Sequence, residues 1–180
     1  YILAAGQTIN PLRLTQTLAE LFHKKGGTIL RQTVKGFEFG ADGPPKVVTD
    51  AATHDPDLIV VAAGVWSKQL VAQLGTKICM ESQRGYHAML PDAGVTTRVS
   101  VQSSDRHIII SQMEHGLRIT GIADFEGLDA PPNYARADTV LRHARALIPG
   151  LKSNGMTRWM GNRPSTPDSM PVIGPAPGHP

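Results

Sequence analysis

The segment Gly161-Asn-Arg-Pro-Ser-Thr-Pro-Asp-Ser-Met-Pro-Val-Ile-Gly-Pro175 places one guanidinium, that of Arg163, in a stretch stiffened by prolines at 164, 167 and 171. Pro164 restricts Arg163 to extended or polyproline geometry. An arginine held this way matches a carboxylate through two parallel hydrogen bonds, which a lysine cannot reproduce. The competing reading is a solvated arginine on a surface loop. A second segment, Asp57-Leu-Ile-Val-Val-Ala-Ala-Gly-Val-Trp-Ser67, predicts a strand over Leu58 to Val61 buried on both faces of an α/β sheet. It ends in Ala62, Ala63 and Gly64, where a ligand could approach the backbone closely, or where strand and helix simply pack tightly. A helix from Ser67 to Leu74, closed by Gly75, is expected to follow.

These residues need elements to hold them. Asn10-Pro11 caps a helix whose apolar positions Leu14, Leu18, Leu21 and Phe22 share one face, stopped at Lys24-Lys-Gly-Gly27. Thr28 to Leu30, Thr33 to Phe39 and Lys46 to Thr49 read as short strands, with a turn over residues 40–45. From about Cys79 the pattern becomes antiparallel β. Arg84 to Leu90, Arg98 to Gln102, Arg106 to Ile110 and Leu117 to Ile122 are strand candidates separated by turns. One helix interrupts them, capped at Asn133 and carrying the stripe Val140, Leu141, Ala144, Leu147 and Ile148. A last strand from about Met156 to Met160 leads into the Arg163 segment. The fold class expected is mixed α/β and α+β, an α/β domain plus an antiparallel-sheet domain with one helix. The boundaries expected are 1–78, 79–158 and a return segment 159–180.

The ordered set Thr8-Ile-Asn-Pro11, Gly26-Gly-Thr28, Thr33-Val-Lys35, Val60-Val-Ala-Ala-Gly-Val-Trp-Ser67, Arg84-Gly-Tyr-His87 and the Arg163 turn resembles the D-amino-acid oxidase-like superfamily of FAD-dependent amine oxidoreductases. Within it the likeness leans towards the bacterial D-amino-acid dehydrogenase small subunit and the glycine and sarcosine oxidases. The resemblance implies FAD as cofactor and an amino acid as substrate, oxidised to an imino acid that water converts to a 2-oxo acid and ammonia. It implies that catalysis rests on Arg163 as the carboxylate clamp. Val34 would contact the adenine through its backbone, Ala62, Ala63, Gly64 and Trp66 would form a second cofactor segment, and Gly161 and Asn162 would approach the isoalloxazine edge. His107 matches a pocket histidine of the glycine-oxidase-like members. Ile109 stands where they carry a tyrosine, which makes that wall more apolar. Tyr86 and His87 are further polar wall residues, and for each of these side chains core packing is the alternative role.

A family member is expected to open with a strand and a Gly-x-Gly-x-x-Gly turn at a helix N-terminus that holds the FAD pyrophosphate. This spacing does not occur here, so the chain reads as a central-to-C-terminal fragment of a longer enzyme. The alternatives are a glycine- or sarcosine-type amine oxidase, or a catalytically silent folded module. Other classes have little support. A net charge of +3 over 180 residues, with no basic run and 5% aromatic residues, argues against nucleic-acid binding. The seven histidines show no metal-site pairing, so no metal is expected, and neither a Gly-x-Ser-x-Gly elbow nor a Walker loop occurs. Cys79 is the sole cysteine, which suits a reducing, cytoplasmic setting. No apolar run is long enough to span a bilayer, which leaves peripheral contact of the parent enzyme with the inner membrane as an open expectation.

Overall fold

The computed structural model describes residues 8–40 and 45–178. The described residues of Tyr1–Gly27 and Gln83–Asn162 form one compact unit, and those of Thr28–Ser82 and Arg163–Pro180 form another. Residues before 28 thus group with the larger sheet, whereas the sequence places them with residues 28–78.

In the first unit, helix α1 (Pro11–Lys24) begins where its cap predicts. The Asn10 side chain accepts from the Arg13 amide at 2.8 Å, and proline occupies the first helical turn. The helix is tied down at that end. The Glu114 amide donates to the Ile9 carbonyl at 3.0 Å, and the Asn10 side chain donates to the Glu114 carboxylate. Its apolar stripe, however, packs on nothing among the described residues. Leu14, Leu18, Leu21 and Phe22 are all exposed.

The five-stranded antiparallel sheet runs β5-β6-β7-β4-β8, where β4 is Glu81–Leu90, β5 Val101–Ser103, β6 Ile108–Met113, β7 Gly116–Asp124 and β8 Thr157–Ser165. Alternation along these strands sorts side chains to two faces. One face is dry. Ala88, Leu90, Ile108, Ile110, Leu117 and Ile119 pack under helix α3 (Ala135–Leu147), whose Val140, Leu141 and Ala144 complete the core. Arg158 of β8 pairs with Asp138 of α3 at 2.7 Å, fixing the helix start against the edge strand. Asn133 is not the cap of α3. That position is taken by Tyr134, with no side-chain capping bond, and the Asn133 amide donates to the Tyr86 hydroxyl at 3.2 Å. Between Gly85 and His87 the β4–β7 register shifts. The extra residue falls on β7, where Gly121 (φ +158) lies so close to the backbone of His107 and Ile108 that no Cβ fits.

The second unit holds a small antiparallel sheet, β1 (Val34–Glu38), β2 (Lys46–Thr49) and β3 (Thr53–His54), in the order β1-β2-β3. The expected turn at 40–45 lies mostly outside the described residues. A 3-10 turn (Gly64–Trp66) leads into helix α2 (Ser67–Ala72). Two expected strands do not form. Residues 28–30 and 58–61 are extended but unpaired, with Leu30, Leu58 and Val60 at 54%, 75% and 80% exposure. An apolar run becomes a buried strand only when neighbours supply ladder hydrogen bonds and cover both faces, and no described segment does so here.

Candidate functional site

The sheet face opposite α3 is the half-open one, and the strand registers decide which side chains meet on it. His87 pairs with Thr120, Thr120 with Ile109, and Ile109 with Gln102, so one row crosses four strands. Trp159 of the edge strand β8 extends the row by stacking on His87, with ring centroids 5.0 Å apart at 20°. A second row beside it holds Met89, Arg118 and Ser111. Thr120 donates its hydroxyl to the Tyr86 carbonyl at 2.9 Å, and Ser111 bonds to Ser100 at 2.9 Å. Both hydroxyls are therefore already engaged.

Burial holds the His87 imidazole below its usual pKa, and the positive charge of Arg118 pushes in the same direction. His87 is a neutral ring near pH 7, able to donate from one nitrogen and accept at the other. Gly161 lies two residues from Trp159 along β8, and the indole covers its α-carbon where a Cβ would project. A ligand reaching Gly161 from this side meets Trp159 first.

The same alternation separates the other residues singled out in the sequence. Tyr86, adjacent to His87, points to the opposite face, is fully buried, and uses its hydroxyl to accept from Asn133. Beside it on that face Arg84 is also fully buried. Its guanidinium donates to the carbonyls of Pro131 at 3.2 Å and Leu128 at 3.3 Å, and to that of Ala130, and lies 3.7 Å from the Glu126 carboxylate. Tyr86 and Arg84 together hold the segment 126–133 between β7 and α3. His107 lies in the exposed β5–β6 turn with φ +50, outside the row that contains Ile109. Asn162 is partly buried in β8.

In the second unit, Val34 is the first residue of β1, 38% exposed and paired with Thr49. Ala62 and Gly64 are exposed. Gly64 adopts φ +58, the turn is closed by the Ser67 hydroxyl accepting from the Ala63 amide at 3.0 Å, and space above the Gly64 α-carbon is open. At Gly64 the bare backbone leaves room for a flat or phosphorylated ligand to approach closely. Trp66 is 52% exposed beside it. Arg163 is exposed in β8, extended as Pro164 requires, and that proline is tolerated because β8 is an edge strand. The following turn is closed by Asp168, whose carboxylate accepts from the Met170 amide at 3.1 Å. That bond, aided by Thr166, holds the Asp168 pKa below its usual value.

Trp159, Thr120 and Arg118 were not singled out in the sequence. Stepping back two residues from Gly161 would have found Trp159. Thr120 and Arg118 join the face only through cross-strand register. Among the described residues no group of His, Cys, Asp or Glu could hold a metal ion, and no helix is long and apolar enough to cross a membrane.

The described fold, a mixed α/β chain in which a helix seals one face of an antiparallel sheet, has close counterparts among solved structures. Glycine oxidase from Geobacillus kaustophilus superposes with a TM-score of 0.80 over 92% of this chain and 45% of its own, at 19% identity. A family model described as DAO, FAD dependent oxidoreductase, matches residues 1–180, and the chain belongs to that family. It is 33% identical over 174 residues to a D-amino-acid oxidase of Bradyrhizobium diazoefficiens, covering 94% of this chain and 41% of the relative. It is 32% identical over 178 residues to a D-amino acid dehydrogenase of Xylella fastidiosa, covering 95% and 40%. The chain thus spans about two fifths of the length of these relatives.

Proposed function

We propose that this chain supplies the substrate-facing sheet and part of the FAD-binding unit of an enzyme that oxidises D-amino acids to imino acids, which hydrolyse to 2-oxo acids and ammonia. The observation that carries the reading is the row Gln102, Ile109, Thr120, His87 and Trp159, a half-buried face on a sheet sealed from behind by α3. FAD, when bound, accepts the hydride from the substrate α-carbon. The protein's own work is to orient and to exclude water. Ile109 and Met89 offer apolar area to a side chain. Neutral His87 offers a polar contact without introducing a charge. Arg163 is the carboxylate clamp, its two-pronged geometry suited to the substrate's planar anion. Exposed backbone at Ala62, Ala63 and Gly64, with Trp66 and Val34, is the cofactor-facing part, and Gly161 and Asn162 are proposed to neighbour the flavin ring. The reading is supported by membership of the family and by D-amino-acid-oxidising names among the relatives.

The test is anaerobic mixing of the flavin-loaded protein with D-alanine and, separately, with L-alanine. Bleaching of the flavin absorbance near neutral pH by the D-enantiomer is expected. Equal bleaching by both enantiomers would overturn the D-amino-acid reading, and reduction by glycine or sarcosine without reduction by D-alanine would replace it with the glycine- or sarcosine-type alternative.

A further inference from the structure

Among the described residues of the open face, Arg118 carries a charge that no carboxylate answers. It sits on β7, inside the sheet, between Ser111 and Met89. It is partly buried, and its Nε is fully buried without a hydrogen-bond partner, a feature it shares with Arg84 and Arg136, which differ from it in having a carboxylate nearby. No carboxylate among the described residues pairs with it, whereas Arg84, buried on the opposite face of the same sheet, has Glu126 beside it. Ser111, its neighbour, is engaged with Ser100. A guanidinium that loses water without gaining an anion is destabilising, so such a position is set up for an anionic ligand. The surroundings narrow the class of ligand. On either side of Arg118 along and across the sheet are Met89 and, one row over, Ile109, apolar groups that suit methylenes leading up to the charge.

We propose that Arg118 binds the side-chain carboxylate of an acidic amino acid, making it the residue through which this face selects its substrate. The inference rests on the reading of this face as the substrate wall. It assigns Arg118 an occupant other than the α-carboxylate, which every amino-acid substrate carries.

D-Glutamate and D-glutamine, equal in shape and different in side-chain charge, separate the alternatives. In the flavin-loaded protein, Arg118→Gln should lower the ratio of kcat/KM for D-glutamate over D-glutamine by about ten- to a hundredfold, the value of a lost charge-assisted contact. An equal loss on both substrates would assign Arg118 to the α-carboxylate and overturn the proposal. Where Arg118→Gln fails to fold, Arg118→Lys must still lower the ratio by about fivefold or more through loss of the fork geometry, and an unchanged ratio would be equally fatal. A readout independent of turnover is the His87 ring proton followed by NMR. D-Glutamate should offset the Arg118 charge and raise the His87 pKa, D-glutamine should not, and the response should vanish in Arg118→Gln. Persistence of the response in that variant overturns the proposal. A charge-specific His87 response in a protein that reduces no flavin with any amino acid would uphold the Arg118 site and sink the oxidase reading instead.

Discussion

Arg84→Ala should be among the most destabilising substitutions in the larger-sheet unit. The Arg84 side chain is fully buried and donates to the carbonyls of Leu128, Ala130 and Pro131, tying the segment to β4. Its ion pair with Glu126, whose side chain is 41% exposed, adds only about 0–1 kcal/mol after solvent screening. The carbonyl contacts dominate. Truncating one partner of a buried, charged hydrogen-bond set typically costs about 3–5 kcal/mol, since the remaining groups stay buried and unpaired. That is a large part of the roughly 5–15 kcal/mol that holds a domain together. With an m-value of about 2 kcal/mol/M, the urea midpoint should fall by about 1.5–2.5 M. Fluorescence of Trp159 in a Trp66→Phe background reports on the unit that contains Arg84. Cleavage by a protease between residues 126 and 133 should become fast under native conditions, because the segment loses its anchor before the core under α3 is lost. Arg84→Met should recover the packing part of the loss but not the carbonyl part. A loss below about 1 kcal/mol for Arg84→Ala, with the segment still protected, would refute the reasoning.

Gly161→Ala should push the Trp159 indole off His87, removing a stacked pair worth about 0.5–1.5 kcal/mol. Altered Trp159 fluorescence and a His87 pKa closer to its usual value are the expected signs. Because the His87 pKa in the folded state lies below its unfolded value of 6.5, the unfolded chain binds the extra proton first. Stability should therefore fall as the pH drops from 7 through 6.5 towards the folded pKa, and His87→Asn should flatten that part of the urea–pH profile. Arg163→Lys should lower kcat/KM for D-alanine about ten- to a hundredfold with flavin content unchanged. Matching losses on an amine that lacks a carboxylate would remove Arg163 from the clamp role.

Local chemistry was enough to read α1, because Asn10, Pro11 and the lysine-glycine stop act within a few residues of one another. It was enough for β1, β2 and the order of strands and turns after residue 80, and Pro164 alone dictated that Arg163 would be extended. The alternation of β4 was equally legible and places Tyr86 and His87 on opposite faces, so that of these two candidate wall residues only His87 lies on the open face. Tertiary structure decided the rest. Trp159 meets His87 only because β8 returns to lie beside β4, and Arg118 joins the row next to them only through the β4–β7–β6 register. Leu58 to Val61 shows the limit from the other side, since its sequence is that of a strand buried on both faces and yet, among the described residues, it is unpaired, with Leu58 and Val60 exposed. Periodicity and caps are properties of neighbouring residues and can be read along the chain. Burial, pairing and charge compensation belong to contacts between segments far apart in sequence, which exist only once the strands have chosen their neighbours.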